Sequence, residues 1–131
     1  MYKFDLKTHS RSELIDITRE VEKLAAKDGI KDGVCTVFVP HTTAGITINE
    51  NADPTVKADI LNEVNKIVPF DDDYEHSEGN SAAHIKASII GSSVSIIIED
   101  AKLQLGTWQG IYFCEFDGPR SREIWVALVG N

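Results

Sequence analysis

Three of the four histidines in this chain lie in segments of small and hydroxyl-bearing residues that suit a binding site. His41 opens one such segment, and His76 and His84 flank a polar loop further along the chain. Neutral imidazole is the commonest protein ligand for metals, and three imidazoles with one open coordination position form a zinc centre that can activate water. The sequence therefore offers His41, His76 and His84 as a joint metal site, and imidazole ligands favour zinc over magnesium.

No local signature such as H-E-x-x-H ties these histidines together, so each also has an ordinary structural interpretation. A histidine at a strand end can lie on the surface, one in a loop can be solvated, and one on a helix can cap a carbonyl group. The spacing alone leaves the joint site and these separate roles open.

Two carboxyl groups stand close together just before a predicted helix. Glu50 is a candidate general base, or a partner that orients an imidazole ring. Asp53 directly precedes Pro54, and an aspartate followed by proline is typical of a helix N-terminus. We therefore assign the catalytic role to Glu50 and favour the helix cap for Asp53.

Hydroxyl and guanidinium groups extend the candidate site. Thr42 and Thr43 follow His41 directly and can offer hydroxyls to a ligand. Arg120 ends a predicted turn and Arg122 follows it, and either could bind a phosphate through two parallel hydrogen bonds. The alternative for both arginines is an ordinary solvated position beside the turn.

Residues 106–110 form the last candidate segment, in which two glycines enclose Thr107 and Gln109. The glycines would let the backbone approach an anion closely, and the two polar side chains would add neutral donors. The alternative is a bulge or tight bend between two strands, with Trp108 packed in the core. The pattern by itself favours the bend.

Composition sets the boundaries for these hypotheses. A chain of 131 residues with 42% hydrophobic residues is long enough for one domain, residues 1–131, with its own core. The formal net charge of −8 argues against binding to nucleic acid or to an anionic membrane. No apolar run is long enough to span a bilayer and no signal-peptide pattern is present, so we expect a cytoplasmic protein. Cys35 and Cys114 have no C-x-x-C partner and are expected to be buried, reduced thiols.

Hydrophobic periodicity predicts an α+β fold in which two main helices and one short helix pack on a mostly antiparallel sheet. Ser10 and Glu13 resemble a capping box and predict a helix whose apolar positions run from Leu14 to Leu24. A second helix should begin at Pro54 and end before Pro69, and a short one should span residues 81–90. Strands are predicted at residues 2–7, 34–39, 44–49, 94–98, 103–105, 108–116 and 122–129, with a turn at residues 117–120.

Taken together, these segments resemble the YjbQ family, a family of uncharacterised proteins that is also labelled secondary thiamine-phosphate synthase. The H-T-T-A and L-G-T-W-Q pieces occur in this order, and the resemblance covers nearly the whole chain. One departure is Ala101, where a turn glycine is expected, and it alters a hairpin rather than the site. The matching segments are residues 40–46, 49–54, 76–84, 105–109 and 117–120.

The resemblance implies a homotrimer whose site is lined by the family's histidines, at the positions of His41, His76 and His84. It implies a metal-dependent enzyme that acts on a small anionic or phosphorylated metabolite, either a thiamine-phosphate synthase-like transferase or a hydrolase. Glu50 would then move the proton.

We further expect an anionic group of the ligand to bind beside the metal, near Asn80, Thr107 and Gln109, because the metal would supply the positive charge that this acidic chain lacks. Two alternatives remain open. The chain could be a non-catalytic trimeric module that binds a metal or metabolite, or it could hold a purely structural metal.

Overall fold

The computed structural model describes residues 1–131 and contains three helices and eight strands. This confirms the predicted α+β class. In chain order the elements are β1 (Tyr2–Lys7), β2 (Glu13–Asp16), α1 (Thr18–Asp28), β3 (Gly33–Phe38), β4 (Ala44–Glu50), α2 (Pro54–Ile67), α3 (Ser81–Ile90), β5 (Ser93–Glu99), β6 (Lys102–Leu103), β7 (Gln109–Glu115) and β8 (Ser121–Gly130).

The strands form two antiparallel sheets, one of five strands in the order β1-β8-β3-β5-β6 and one of three in the order β2-β7-β4. Alternate residues of each strand point to the same face, so the apolar inner faces of the two sheets meet and α1 closes the space between them. The resulting main core consists of Ile17, Val21, Cys35, Val37, Val39, Ala44, Ile46, Ile96, Ile98, Ile111, Phe113, Ile124 and Val126.

The three-stranded sheet is buried on its second face as well. There Leu14, Tyr112, Cys114 and Phe116 pack against α3, with apolar side chains of α2 beside them. This explains why β7 is a nearly continuous apolar run rather than an alternating one, because a strand covered on both faces needs apolar side chains on both.

The outer face of the five-stranded sheet, in contrast, exposes apolar side chains. Ile97, Val34 and Val129 stand opposite one another on three neighbouring strands and are 64%, 41% and 69% exposed. We call this row the open sheet face. An aligned apolar row of this kind is more than the scattered exposed residue that any protein carries.

The first helix begins later than predicted, and the predicted capping box is wrong. Residues Glu13–Asp16 form β2, which pairs with β7. The helix starts at Thr18, whose backbone N–H donates to Asp16 Oδ1 at 2.9 Å. Ile17 and Val21 are buried in the structure, as they would be in the predicted longer helix. Apolar spacing alone therefore did not separate a short strand from the first helical turn.

Other local predictions are confirmed. Asp53 caps α2, its Oδ1 accepting the N–H of Thr55 at 2.9 Å. Cys35 and Cys114 are free and buried, and burial raises their pKa values to about 11 and about 12, so both remain thiols. None of the three helices is long and apolar enough to cross a membrane.

The two-residue turn between β5 and β6 generates a prediction. Asp100 and Ala101 have φ values of 51° and 65°, the left-handed region that a tight hairpin turn needs and that an alanine Cβ disfavours. Replacing Ala101 with glycine should therefore raise the free energy of unfolding by about 1 kcal/mol, measured by urea denaturation.

A matched control is available on α1. Ala26 is exposed on that helix, and its replacement with glycine should lower the free energy of unfolding by about 0.5–1 kcal/mol. If Ala101→Gly lowers stability as much as Ala26→Gly does, the turn is not strained in the way described.

Candidate functional site

A cleft of about 360 Å³ opens where the loop after β3 meets the C-terminal half of α3. No carboxylate lines it. Its walls carry two imidazoles, three hydroxyls and a glycine, so hydrogen-bonding groups without negative charge surround it. We call it the histidine cleft; it is lined by His41, Thr42, Ala44, His84, Ala87, Ser88, Gly91 and Ser92.

His41 is half-buried and is held by the edge of β8. The ladder between β3 and β8 ends at the pair Phe38 and Trp125, and beyond it the backbone N–H of Glu123 donates to His41 Nε2 at 3.0 Å. Burial, and next the nearby Arg122 guanidinium, lower the pKa of His41. His41 is therefore a neutral imidazole near pH 7.

A buried ion pair lies behind this imidazole. Arg122 donates from Nε to Glu115 Oε1 at 2.8 Å and from Nη2 to Glu115 Oε2, and both side chains are almost inaccessible to solvent. Burial alone would raise the pKa of Glu115, but hydrogen bonds from Arg122 and from the Asp117 N–H hold it below its usual value. The Glu115 carboxylate is thus charged and fully occupied.

The same ion pair anchors the loop that carries His41. Arg122 Nη2 also donates to the hydroxyl and the carbonyl oxygen of Thr43, and the Thr8 hydroxyl donates to Glu115 Oε1 at 2.8 Å. Thr43 is buried and its hydroxyl accepts a hydrogen bond from Arg122, so ligand binding by Thr43 stays a prediction that this geometry does not support. Arg122 is likewise unavailable to a phosphate, whereas Thr42 is exposed and lines the cleft.

The other two histidines are neighbours. His84 lies on α3 and lines both the histidine cleft and an adjoining cavity of about 470 Å³ that also contains His76. The rings of His76 and His84 meet edge to face with their centroids 5.4 Å apart. The fold thus brings His41, His84 and His76 into two adjoining cavities that share His84.

The three histidines do not form a metal site within one chain in this arrangement. No group of three or more histidine, cysteine, aspartate or glutamate side chains is placed to hold a metal ion. In addition, the Nε2 lone pair of His41 already accepts the Glu123 N–H. A shared zinc ion on His41, His76 and His84 stays a prediction that this geometry does not support.

Glu50 lies far from the histidines in the same chain. Ala44 begins β4 beside the cleft and Glu50 ends it, six residues on, which at about 3.3 Å per residue is a separation of about 20 Å. Glu50 therefore does not reach a group bound in the histidine cleft of its own chain, and the expected proton transfer there has no geometric support.

The segment of residues 106–110 is a bend, as its alternative interpretation held. Gln109 Oε1 accepts the N–H of Gly106 at 2.8 Å and so closes the turn, and Thr107 lies exposed at its tip. Trp108 is 62% exposed, so its placement in the core is wrong. Gln109 begins β7 and pairs with Glu50, at the end of β4 away from the histidine cleft, so this segment forms no joint anion site with the histidines of its own chain.

Asn80 and Arg120 do come together, but on a carboxylate. Asn80 Nδ2 and Arg120 Nη2 both donate to Asp117 Oδ2, at 3.0 and 2.8 Å. This ion pair compensates the charge of Arg120, whose side chain is still 48% exposed, and phosphate binding by Arg120 stays a prediction. Asn80 Oδ1 is buried and has no hydrogen-bond partner.

The sequence analysis did not predict two serines that line the cleft, Ser88 and Ser92. Ser88 follows His84 by one helical turn, and this spacing could have identified Ser88 as a neighbour of His84. Lys86 faces the opposite side of α3 and is fully buried, with Nζ donating to Asn65 Oδ1 at 2.6 Å and lying 3.8 Å from the centre of the Phe70 ring.

This chain is similar to known proteins over nearly its whole length. A family model described as "UPF0047 protein YjbQ-like" matches residues 2–131. The UPF0047 protein MJ1081 of Methanocaldococcus jannaschii is 53% identical over 131 residues, covering 100% of this chain and 95% of that protein. YugU of Bacillus subtilis is 53% identical over 95% of this chain and 96% of its own length.

Solved structures of similar proteins have the same fold. A YjbQ/UPF0047 protein of Clostridium acetobutylicum superposes with a TM-score of 0.97 at 57% identity, covering 98% of this chain and all of that one. A protein of unknown function from Sulfolobus solfataricus gives a TM-score of 0.95 at 35% identity over 99% and 96% of the two chains. The fold is therefore shared, while these names assign no activity.

Buried Lys86 generates a prediction about pH. Burial, with a smaller effect of Arg11, lowers its pKa to about 8, against about 10.4 in an unfolded chain. Between these values the unfolded chain binds more protons, so the stability cost of burying the ammonium is full below pH 8 and disappears as the pH rises towards about 10. Lys86→Met should raise the Tm at pH 7 by about 2–5 °C, and the difference from wild type should shrink by pH 10.

The control is Lys23→Met, at an exposed position on α1, which should change the Tm little at either pH. Calorimetry at pH 7 and pH 10 provides the comparison. A Lys86→Met protein that is less stable than wild type at pH 7 and equally so at pH 10 would show that the bonds to Asn65 and Phe70 outweigh the burial cost.

Proposed function

This chain belongs to the YjbQ family, and from that premise and the geometry of the histidine cleft we propose that it binds a small anionic metabolite, in particular a phosphorylated one. The observation that carries the proposal is the lining of the cleft. In a chain with a net charge of −8, this cavity holds imidazoles and hydroxyls and no carboxylate. A pocket of this size and polarity suits a small ligand with several hydrogen-bond acceptors.

The donors for such a ligand are side chains. The cleft lies at the C-terminal half of α3, where a helix presents carbonyl oxygens rather than free N–H groups. Thr42, Ser92, His41 and His84 must therefore supply the hydrogen bonds, and no lysine or arginine lines the cleft. Affinity for inorganic phosphate should consequently be modest and should depend on each of these neutral donors.

The reaction we propose is the one implied by the family resemblance, a thiamine-phosphate synthase-like transfer or a phosphate-releasing hydrolysis. Glu50 lies at the far end of β4, so within one chain the proton carriers available at the cleft are His41 and His84. The alternative is a non-catalytic trimeric module. Only an enzyme would convert a pyrimidine diphosphate and a thiazole phosphate to product, or release phosphate from a ligand. An enzyme and a non-catalytic module would both bind the ligand.

A divalent metal, zinc above all, is a second proposal, favoured by the contact between the rings of His76 and His84. These two imidazoles would be its only ligands from one chain, because no third histidine, cysteine, aspartate or glutamate side chain is placed to join them. When bound, such an ion would polarise a ligand oxygen. His41 could join only by giving up its bond to the Glu123 amide.

We also propose that three copies assemble through the open sheet face. The support is its row of Ile97, Val34 and Val129, which continues across three strands and would otherwise face water. Burying this row would remove an exposed apolar patch of the kind that marks interfaces between subunits.

The ligand proposal predicts a specific pattern of phosphate binding by isothermal titration calorimetry. His84→Ala should raise the Kd for inorganic phosphate by about tenfold, the loss expected for one or two hydrogen bonds. The control Thr107→Ala removes a hydroxyl at the exposed turn outside the cleft and should leave the Kd unchanged. A larger loss in Thr107→Ala than in His84→Ala would move the anion site to the turn.

Metal analysis of the wild-type protein and of two histidine variants tests the metal proposal. Protein purified without an affinity tag should contain zinc that is lost in His76→Ala and His84→Ala, with the fold retained by circular dichroism. Undiminished zinc in both variants would contradict a metal on these imidazoles, and unchanged phosphate binding after chelation would separate the two proposals.

The assembly proposal predicts the mass seen by light scattering. Wild type should have three times the 14.5 kDa of one chain across a wide dilution range. Ile97→Lys should give a monomer, whereas Ile67→Lys should stay trimeric, because Ile67 is equally exposed, at 68%, but lies on α2. A wild-type monomer, or equal effects of both variants, would rule out this interface.

A further inference from the structure

We propose that His41 serves the histidine cleft as a neutral hydrogen-bond donor, through Nδ1–H, to a phosphoryl or carboxylate oxygen, and that it is not a metal ligand. The inference rests on the proposed function of the cleft as a ligand site. It goes beyond that function because it assigns the proton to one nitrogen of one ring and thereby states which kind of ligand atom the ring accepts.

The first step is the hydrogen bond to Glu123. A backbone N–H can only donate, so the His41 Nε2 atom that receives it at 3.0 Å must carry a lone pair. In a neutral imidazole the other nitrogen then carries the proton. His41 is thus fixed as the tautomer with its proton on Nδ1, and the structure gives it no other hydrogen-bond partner than Glu123.

The second step is the reason that the ring cannot easily turn away. Beyond the last β3–β8 pair, a continued ladder would place Pro40 opposite Glu123, but β3 has already ended at Phe38. His41 Nε2 takes the place of the missing strand partner. Removing it would leave a part-buried N–H of β8 without an acceptor, at a cost of about 1–3 kcal/mol.

The third step is the charge state and rigidity of the surroundings. The charged groups around His41 are Arg122, Glu115 and Glu123. Arg122 and Glu115 neutralise each other in their ion pair, and Arg122 also fixes the hydroxyl of Thr43, two residues from His41. The ring is therefore held in place in its neutral form, with burial disfavouring a second proton.

The consequence concerns the ligand. A metal ion needs a lone pair, and His41 could offer one only by breaking its bond to Glu123 or by losing the Nδ1 proton. A phosphoryl or carboxylate oxygen needs an N–H, which the ring carries at Nδ1 while its bond to the Glu123 amide stays intact. Of the three histidines, His41 is accordingly the one that selects an oxygen acceptor, while His76 and His84 remain available to a metal.

The direct test is the tautomer of His41 in the intact protein, observed by long-range ¹H–¹⁵N correlation and assigned with His41→Gln. We expect a pyrrole-type Nδ1 and a pyridine-type Nε2, unchanged when zinc is added. A pyridine-type Nδ1, or a zinc-dependent change at either nitrogen of His41, would overturn the inference.

A pair of variants gives a second readout. In His41→Gln the amide oxygen can accept the Glu123 N–H while the amide nitrogen still donates, so the Kd for inorganic phosphate should stay within about threefold of wild type. His41→Leu offers neither group and should raise the Kd by about tenfold or more. Equal losses in both variants would overturn the donor role.

The two proposals fail separately. If wild type does not bind phosphate, the proposed function fails, and the ring tautomer still decides the assignment of His41. If wild type binds phosphate but His41→Gln loses its zinc, the cleft stands as a ligand site and His41 is a metal ligand after all.

Discussion

The buried ion pair between Glu115 and Arg122 is the contact on which the candidate site depends. It joins the end of β7 to the start of β8, and through Thr8 and Thr43 it also fixes the loops that follow β1 and precede β4. The Glu115 carboxylate also accepts the N–H groups of Phe116 and Asp117, so every charge in this group is satisfied. Removing one partner of such a pair leaves an uncompensated buried charge and costs about 3–5 kcal/mol. The two sheets are thus locked together at the end of the molecule where the histidines lie.

The ion pair between Glu115 and Arg122 determines where the histidine cleft lies and which groups line it. The loop that begins with His41 cannot move without disturbing Thr43, and its imidazole completes the edge of β8 where β3 has ended. Rigid support of this kind is what a binding group needs if it is to present one donor in one direction. The arginine that could have bound an anion directly is used inside the protein instead, so the cleft is lined by neutral groups.

Local signals in the sequence predicted much of the fold, and the candidate site only in part. The cap at Asp53 and the alternation along the strands depend on neighbouring residues, so the sequence alone was enough for them. The separation of Glu50 from the histidines depends on the direction of β4, and the burial of Arg122 depends on a partner in another strand. Neither can be deduced from spacing. The histidines were found because their residue type carries chemistry wherever the fold places it, but the bond between His41 and a strand edge appears only in three dimensions.

The most direct measurement of the central claim, that the histidine cleft is the ligand site of this YjbQ-family protein, is a high-resolution crystal structure of the protein grown with inorganic phosphate. The account predicts a phosphate in the cleft with an oxygen within hydrogen-bond distance of His41 Nδ1, near Thr42 and His84, and the bond from the Glu123 N–H to Nε2 intact. A cleft that holds only water while phosphate occupies the turn at residues 106–110, or a metal ion on His41, would contradict it.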